Sequence, residues 1–174
     1  MHNTLFDDSL DLLQKLIVIP SLSKEEALTA DVIDAFLQER GVITHRKENN
    51  IWAFNKYYNA SKPTILLNSH HDTVKPNPGY TRNPFSADLE DGMLFGLGSN
   101  DAGGCLVSLI ACFLHFYEQD NLKYNLCLSA TSEEEISGKN GLELIVPELG
   151  LLEFAIVGEP TLMNLAIAER GLMV

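Results

Sequence analysis

The chain has 174 residues, of which 45% are hydrophobic and 21% are charged, and its formal net charge at pH 7 is −12. This composition is typical of one globular domain with an apolar core and argues against disorder. The negative charge disfavours nucleic acid and anionic membrane surfaces as partners. The apolar run at residues 105–117 is shorter than the ~20 residues of a membrane span, and the acidic N-terminal sequence lacks the basic start of a secretory signal. We therefore expect no nucleic-acid partner, no membrane partner and a cytoplasmic location.

The N-terminal part changes from a helical to a β-type pattern. Apolar residues at helical spacing predict a helix over residues 5–16, which Pro20 stops. The sequence SKEE at residues 23–26 has the pattern of a capping box and predicts the start of a second helix that ends at Gly41. Three short runs rich in β-type residues then predict strands at residues 42–45, 51–55 and 64–69.

The second half predicts a hairpin, a buried helix and further strands. The sequence DLEDGMLFG indicates the hairpin, and residues 103–117 indicate a helix that is apolar over most of its circumference. A short helix is expected before residue 149, and strands are expected at residues 124–130, 154–157 and from Leu165. Helices that alternate with apolar strands predict an α/β fold, in which three layers place helices on both faces of a largely parallel or mixed sheet.

Polar side chains cluster where the predicted strands end. His70 and Asp72 follow one strand, residues 133–135 follow another, Glu159 follows a third, and Asp101 precedes the buried helix. Taken singly, each has an ordinary explanation as a turn, a solvated helix start or an N-cap. Open α/β sheets bind ligands at the carboxyl ends of their strands, so all four segments should meet at one edge. Such a cluster of carboxylates would repel itself strongly without bound cations.

The residue types also indicate the class of metal. One imidazole with several carboxylates suits Zn²⁺, Co²⁺ or Mn²⁺ better than Ca²⁺, and the lack of thiolates in the set indicates an open catalytic site. Along an extended chain, His70 and Asp72 point to one side and His71 to the other. We therefore expect His70 to be the ligand and Asp72 to accept its second ring N–H. The role of His71 stays open.

Four segments resemble a known family in their order and spacing. The sequences NSHHDTV, DGMLFGLGSNDAGG, TSEEEISG and IVGEPT are similar to those of the dinuclear zinc hydrolases that include acetylornithine deacetylase, succinyl-diaminopimelate desuccinylase and carboxypeptidase G. The resemblance covers almost the whole chain, and the stretch GYTRNPF followed by GLG looks most similar to acetylornithine deacetylase. It implies a zinc-exopeptidase-like catalytic domain with two divalent metal ions, Zn²⁺ first and Co²⁺ or Mn²⁺ as alternatives.

The resemblance also implies a role for each candidate residue. Asp101 would bridge the two ions, Glu134 would be the general base, and Asp72 would support the histidine ligand. Glu134 would take a proton from a water activated by the two cations and pass it to the leaving amine. The complete set of implied metal ligands is His70, Asp101, Glu135 and Glu159. One departure is that the family usually has Met or Thr and then Lys where this chain has Ala102 and Gly103.

The reaction implied by the resemblance is removal of the N-acyl group from an N-acyl amino acid. The first expectation is N-acetylornithine or another N-acylornithine in arginine biosynthesis. The alternatives are a succinyl-diaminopimelate desuccinylase, a dipeptidase-like metallo-exopeptidase, or a non-catalytic binding module with a decayed metal site. Residues 1–174 would be the N-terminal segment of the catalytic domain, without the lid or dimerisation domain and without the C-terminal segment that supplies a further histidine ligand. We expect the whole protein to be a homodimeric enzyme and this chain alone to be inactive.

Overall fold

The structure, a computed structural model, describes residues 4–166. Its helices are α1 (Leu5–Ile17), α2 (Ala27–Gln38), α3 (Cys105–Phe116) and the short α4 (Leu142–Ile145). Its strands are β1 (Thr44–Lys47), β2 (Asn50–Phe54), β3 (Thr64–His70), β4 (Asp88–Glu90), β5 (Met93–Phe95), β6 (Asn125–Thr131) and β7 (Leu152–Val157). The strand predicted from Leu165 lies mostly outside the described residues.

Five strands form a mixed sheet in the order β1-β2-β6-β3-β7. The pairs β1–β2 and β2–β6 are antiparallel, whereas β6–β3 and β3–β7 are parallel. The carboxyl ends of β6, β3 and β7 therefore meet at one edge of the sheet. Strands β4 and β5 form the predicted hairpin apart from this sheet, and its central residues Asp91 and Gly92 have φ values of 50° and 76°, as a type I′ turn requires. The predicted α/β fold with a mixed sheet is confirmed.

Helices cover both faces of the sheet, but unequally. On one face, α1, α2 and α3 pack on Leu67 and Leu128 from the two central strands. On the other face, the short α4 places Ile145 against Trp52 and Leu66. The three-layer prediction is thus confirmed, with one short helix as the second covering layer of the described residues.

The two N-terminal helices begin differently. Helix α1 has a capping box, because the Thr4 hydroxyl accepts the N–H of Asp7 at 3.2 Å and the Asp7 carboxylate accepts the N–H of Thr4 at 3.0 Å. Helix α2 begins at Ala27 without a side-chain cap. The predicted capping box at residues 23–26 is wrong, because the Ser23 hydroxyl donates to Asp72 instead.

The segment Ser99–Phe116 is the one described helical stretch that is long and apolar enough to cross a membrane. Its backbone is not continuously helical, since Asp101 and Ala102 have non-helical dihedral angles. The following helix, α3, packs on α1 and on the sheet, and buries Leu106 and Phe113 completely. These contacts make α3 a core helix of this fold.

Candidate metal centre

The edge formed by the strand ends brings the predicted site residues together. His70 is the last residue of β3, and Glu159 lies two residues beyond β7. Glu134 and Glu135 lie in a short 3₁₀ turn, Glu134–Ile136, soon after β6. Asp101 comes from the segment Ser99–Gly104, which leads into α3.

One nitrogen of His70 faces three carboxylates. Its Nε2 lies 3.2 Å from Asp101 Oδ1, 3.8 Å from Glu134 Oε2 and 3.8 Å from Glu159 Oε1. One donor atom each from His70, Asp101 and Glu159 can be chosen so that all three lie within 4.8 Å of one another. Glu135 lies outside this close group. The chemistry and spacing of the three donors fit a divalent transition metal ion.

The other nitrogen of His70 is held by Asp72. Its Nδ1 lies 3.0 Å from the Asp72 carbonyl oxygen and 3.3 Å from the carboxylate. The same carboxylate accepts the Ser23 hydroxyl at 2.6 Å and the N–H groups of Glu134 and Glu135 at 3.1 and 3.2 Å. Since only acceptors face Nδ1, this nitrogen carries a proton. Asp72 thus orients the imidazole and holds the turn that carries two candidate site carboxylates.

The charges of the site shift several pKa values. Burial alone would lower the pKa of His70, but the hydrogen bond and charge of Asp72, with the charges of Glu159 and Glu134, raise it to about 9. Burial would raise the pKa of Asp72, but its hydrogen bonds from His70, Ser23 and two backbone N–H groups lower it. Burial first, and then neighbouring carboxylates, raise the pKa values of Glu135 and Glu159. This crowding of negative charge favours a bound cation.

His71 points away from the carboxylates and is almost fully buried. Its Nε2 lies 2.9 Å from the carbonyl oxygen of Asn49, and its Nδ1 lies 2.9 Å from the Thr29 hydroxyl. The carbonyl can only accept, so Nε2 carries the proton and, in the neutral ring, Nδ1 accepts from Thr29. Burial lowers the pKa of His71, which favours this neutral form. His71 therefore connects α2 to the β1–β2 turn.

The segment around Asp101 is closely packed. Gly98 has a φ of 76°, its carbonyl oxygen accepts the N–H of Gly103 at 2.9 Å, and the Asp101–Ala102 peptide bond is cis. A Cβ on Gly103 would lie 2.5 Å from the Gly98 oxygen and 2.6 Å from Leu13 Cδ1. Position 103 therefore has no room for a side chain unless Gly98 or Leu13 shifts.

Three glutamates in sequence have two different uses. The side chain of Glu133 is buried and accepts the side-chain and backbone N–H groups of Asn140 at 2.9 and 3.3 Å. Glu134 lies beside the imidazole of His70.

Sequence reasoning missed two supporting residues, Ser23 and Glu26, because their spacing matched a helix cap. No simple sequence signal distinguishes a serine and a glutamate that cap a helix from a serine and a glutamate that bind residues remote in sequence.

Residues 66–170 match the profile of the family described as Peptidase family M20/M25/M40. The chain belongs to this family. A succinyl-diaminopimelate desuccinylase from Buchnera aphidicola subsp. Cinara cedri is 33% identical over 165 residues, which cover 87% of this M20 chain and 42% of that protein. The chain thus spans less than half the length of this curated relative.

Solved structures share the fold of this M20 chain. An M20 family metallo-carboxypeptidase from Sulfolobus solfataricus superposes with a TM-score of 0.70 at 22% identity, over 90% of this chain and 37% of that one. A dinuclear metal binding M20 peptidase from Bacillus subtilis has a TM-score of 0.66 at 17% identity, over 88% of this chain and 42% of that one. At these identities, the comparisons establish the fold.

Proposed function

We propose that the whole protein is a metal-dependent hydrolase that cleaves the amide bond of a small N-acyl amino acid. The observation that carries this proposal is the approach of three carboxylates to His70 Nε2, at 3.2 to 3.8 Å. They meet at the sheet edge where α/β proteins bind ligands. Membership of a peptidase family supports the reaction class.

The proposed ligands divide into two groups. His70, Asp101 and Glu159 would hold one ion, since their donor atoms lie within 4.8 Å of one another. Asp101 and Glu135 would provide part of a second site. The mixed nitrogen and oxygen donors suit Zn²⁺, with Co²⁺ or Mn²⁺ as alternatives. When bound, such ions polarise a carbonyl group and lower the pKa of water.

Glu134 is the proposed general base. Its side chain is 53% exposed and its Oε2 lies 3.8 Å from His70 Nε2, so water and substrate can both reach the carboxylate. Glu134 would take a proton from water through Oε2 and return it to the leaving amine. Asp72 would keep Nδ1 of His70 protonated, which leaves Nε2 directed into the site.

The first candidate substrate is N-succinyl-diaminopimelate, because the relative that is 33% identical is a desuccinylase. The expectation of N-acetylornithine and arginine biosynthesis rested on the stretch GYTRNPF and the following GLG. The curated relative does not support that expectation, so N-acetylornithine becomes the second candidate. A dipeptide is the third substrate to assay.

We further propose the context in which the site works. Residues 1–174 would be the N-terminal segment of the catalytic domain, and the remaining length seen in the relatives would supply the lid, the dimer contact and another histidine ligand. No histidine follows His115 in this chain. The whole protein would be a cytoplasmic homodimer, and the 174-residue chain alone would lack turnover.

The test is hydrolysis of the three candidate substrates by the whole protein loaded with Zn²⁺ or Co²⁺. We expect Glu134→Gln to lower kcat by about 10²- to 10⁴-fold, as expected for loss of a general base, without lowering the metal content. Glu143→Gln, on the exposed side of α4, is the matched control and should behave as wild type. If Glu134→Gln loses metal, the roles of base and ligand are exchanged; if it keeps full turnover, Glu134 is not the base.

A further inference from the structure

Glu26 is a buried carboxylate that the proposed reaction does not use. It is 0% exposed, and no lysine, arginine or histidine forms an ion pair with it among residues 4–166. A buried charge is costly unless hydrogen bonds compensate for lost hydration. Glu26 has three such bonds. Its Oε1 accepts the backbone N–H groups of Lys24 at 2.7 Å and Glu133 at 3.1 Å, and its Oε2 accepts the Asn49 side chain at 2.8 Å.

Both backbone donors belong to residues in the left-handed region. Lys24 has a φ of 79° and Glu133 has a φ of 54°. Non-glycine residues adopt this conformation at an energetic cost, and it persists when surrounding contacts stabilise it. The Oε1 atom of Glu26 provides such a contact to both residues at once. It thereby joins the segment before α2 to the turn after β6.

The turn after β6 presents three consecutive N–H groups to two carboxylates. Glu133 donates to Glu26, while Glu134 and Glu135 donate to Asp72. Both accepting residues are 0% exposed. The backbone is therefore held from the interior, and the side chain of Glu134 is left beside His70.

We propose that Glu26 is a positioning residue, whose carboxylate holds the N–H of Glu133 and so fixes the turn that carries Glu134 and Glu135. Glu26 makes no contact with the imidazole of His70, so its effect passes through the backbone of the turn. The consequence for turnover rests on the proposed function, in which Glu134 is the base. The effect on the backbone does not.

The first experiment measures hydrogen exchange in the whole, metal-loaded protein. We expect Glu26→Ala to speed amide exchange in residues 132–137 by at least about tenfold, because the N–H of Glu133 loses its acceptor and the turn loses one of its two buried anchors, while exchange in α1 stays within about twofold of wild type. Glu26→Gln keeps an acceptor for Glu133 and should show a smaller increase in the same segment. Glu25→Ala, at the exposed neighbouring position, should leave exchange unchanged.

The second experiment separates kcat from KM with the best substrate found. A displaced base lowers kcat more than it weakens substrate binding, so Glu26→Ala should lower kcat on the order of 10- to 100-fold, with KM within about twofold. Glu26→Gln should recover most of the lost kcat, because it keeps an acceptor for Glu133. If Glu26 acted only through its negative charge, Glu26→Gln would lose as much kcat as Glu26→Ala.

The outcomes distinguish the two proposals. Exchange that stays at wild-type rates in residues 132–137 of Glu26→Ala, or that rises equally in every segment, overturns the positioning role. Should Glu26→Ala not fold, Glu26→Met fills a similar volume without an acceptor, and unchanged exchange in residues 132–137 of that variant overturns the role. If the wild-type protein hydrolyses none of the substrates, the proposed function fails, and the exchange measurement still decides the role of Glu26.

Discussion

His70 and His71 are neighbours in sequence but face opposite environments. His70 Nε2 faces carboxylates, whereas both ring nitrogens of His71 are engaged by Thr29 and Asn49. Alternation of side chains at the end of β3 produces this difference. The same residue type thus serves the candidate site at one position and the packing of α2 at the next.

Alanine substitutions should separate these two uses. His70→Ala is expected to remove the bound metal from the whole protein while the fold is retained. His71→Ala is expected to leave the metal content of folded protein near that of wild type, but to lower the free energy of unfolding by about 2–4 kcal/mol, since it leaves a cavity and two unpaired polar groups. Elemental analysis and denaturant unfolding of both variants check this. If His71→Ala loses metal and His70→Ala keeps it, the assignment of His70 as the metal ligand is contradicted.

The raised pKa of His70 should make the free energy of unfolding depend on pH. Its ordinary pKa is 6.5 and its pKa in the folded, metal-free chain is about 9. Below pH 6.5 both states are protonated and the stabilisation is complete; between pH 6.5 and 9 the folded state alone keeps the proton, so stability declines as pH rises. Denaturant unfolding with a chelator present should show this decline in wild type and not in His70→Gln. A wild-type stability that rises across this range would contradict the expected direction.

At the residue scale, the sequence predicted that polar residues around the strand ends and before α3 would meet at one edge of the sheet. His70, Asp101, Glu134 and Glu159 were expected at one edge, and the structure brings them together there. Sequence reasoning failed for Ser23 and Glu26, whose three-residue spacing is also that of a capping box. Their partners, Asp72 and Glu133, are remote in sequence, and local patterns contain no information on such contacts.

At the scale of elements, the segment Ser99–Gly104 shows the effect of close packing. The sequence predicted a regular helix from Gly103, but the chain first forms a kinked turn with non-helical dihedral angles at Asp101 and Ala102, in which the N–H of Gly103 reaches the carbonyl of Gly98. Helical periodicity cannot reveal this turn, because apolar spacing begins only with α3. By contrast, α1 and the β4–β5 hairpin follow local rules of capping and turn chemistry, so their prediction is confirmed.

This turn leads to a stability prediction. Gly103→Ala should destabilise the chain by about 1–3 kcal/mol, as expected for overpacking, because the added methyl group would meet Gly98 and Leu13. Gly79→Ala is the matched control, since its nearest contact is a single side-chain oxygen of Asn77 at 3.2 Å. Thermal or denaturant unfolding compares the two variants. Equal stability would show that the turn has room for a side chain.

At the scale of the whole molecule, β7 has apolar residues on both faces. Phe154, Ile156 and Val157 are 48%, 47% and 56% exposed. Phe154 and Ile156 pair with Ile65 and Leu67 of β3, on the face that α1, α2 and α3 cover, while Val157 pairs with Asn68 and lies on the other face. Strands of this composition are usually buried on both sides, and exposed apolar edges promote association.

We therefore expect the 174-residue chain, expressed alone, to associate as its concentration rises. The double variant Phe154→Ser, Ile156→Thr should reduce this association, and Leu28→Ser, which removes an exposed apolar residue on α2 that is 62% exposed, should not. Sedimentation velocity over a concentration series measures the effect. A wild-type chain that stays monomeric at high concentration would contradict this expectation.

The central claim is that His70 and the surrounding carboxylates bind divalent metal. Elemental analysis of the folded whole protein, after loading and removal of free ions, tests it most directly. We expect close to two equivalents of Zn²⁺, Co²⁺ or Mn²⁺ per chain in wild type. A well-folded wild-type protein that retains no transition metal would contradict the claim.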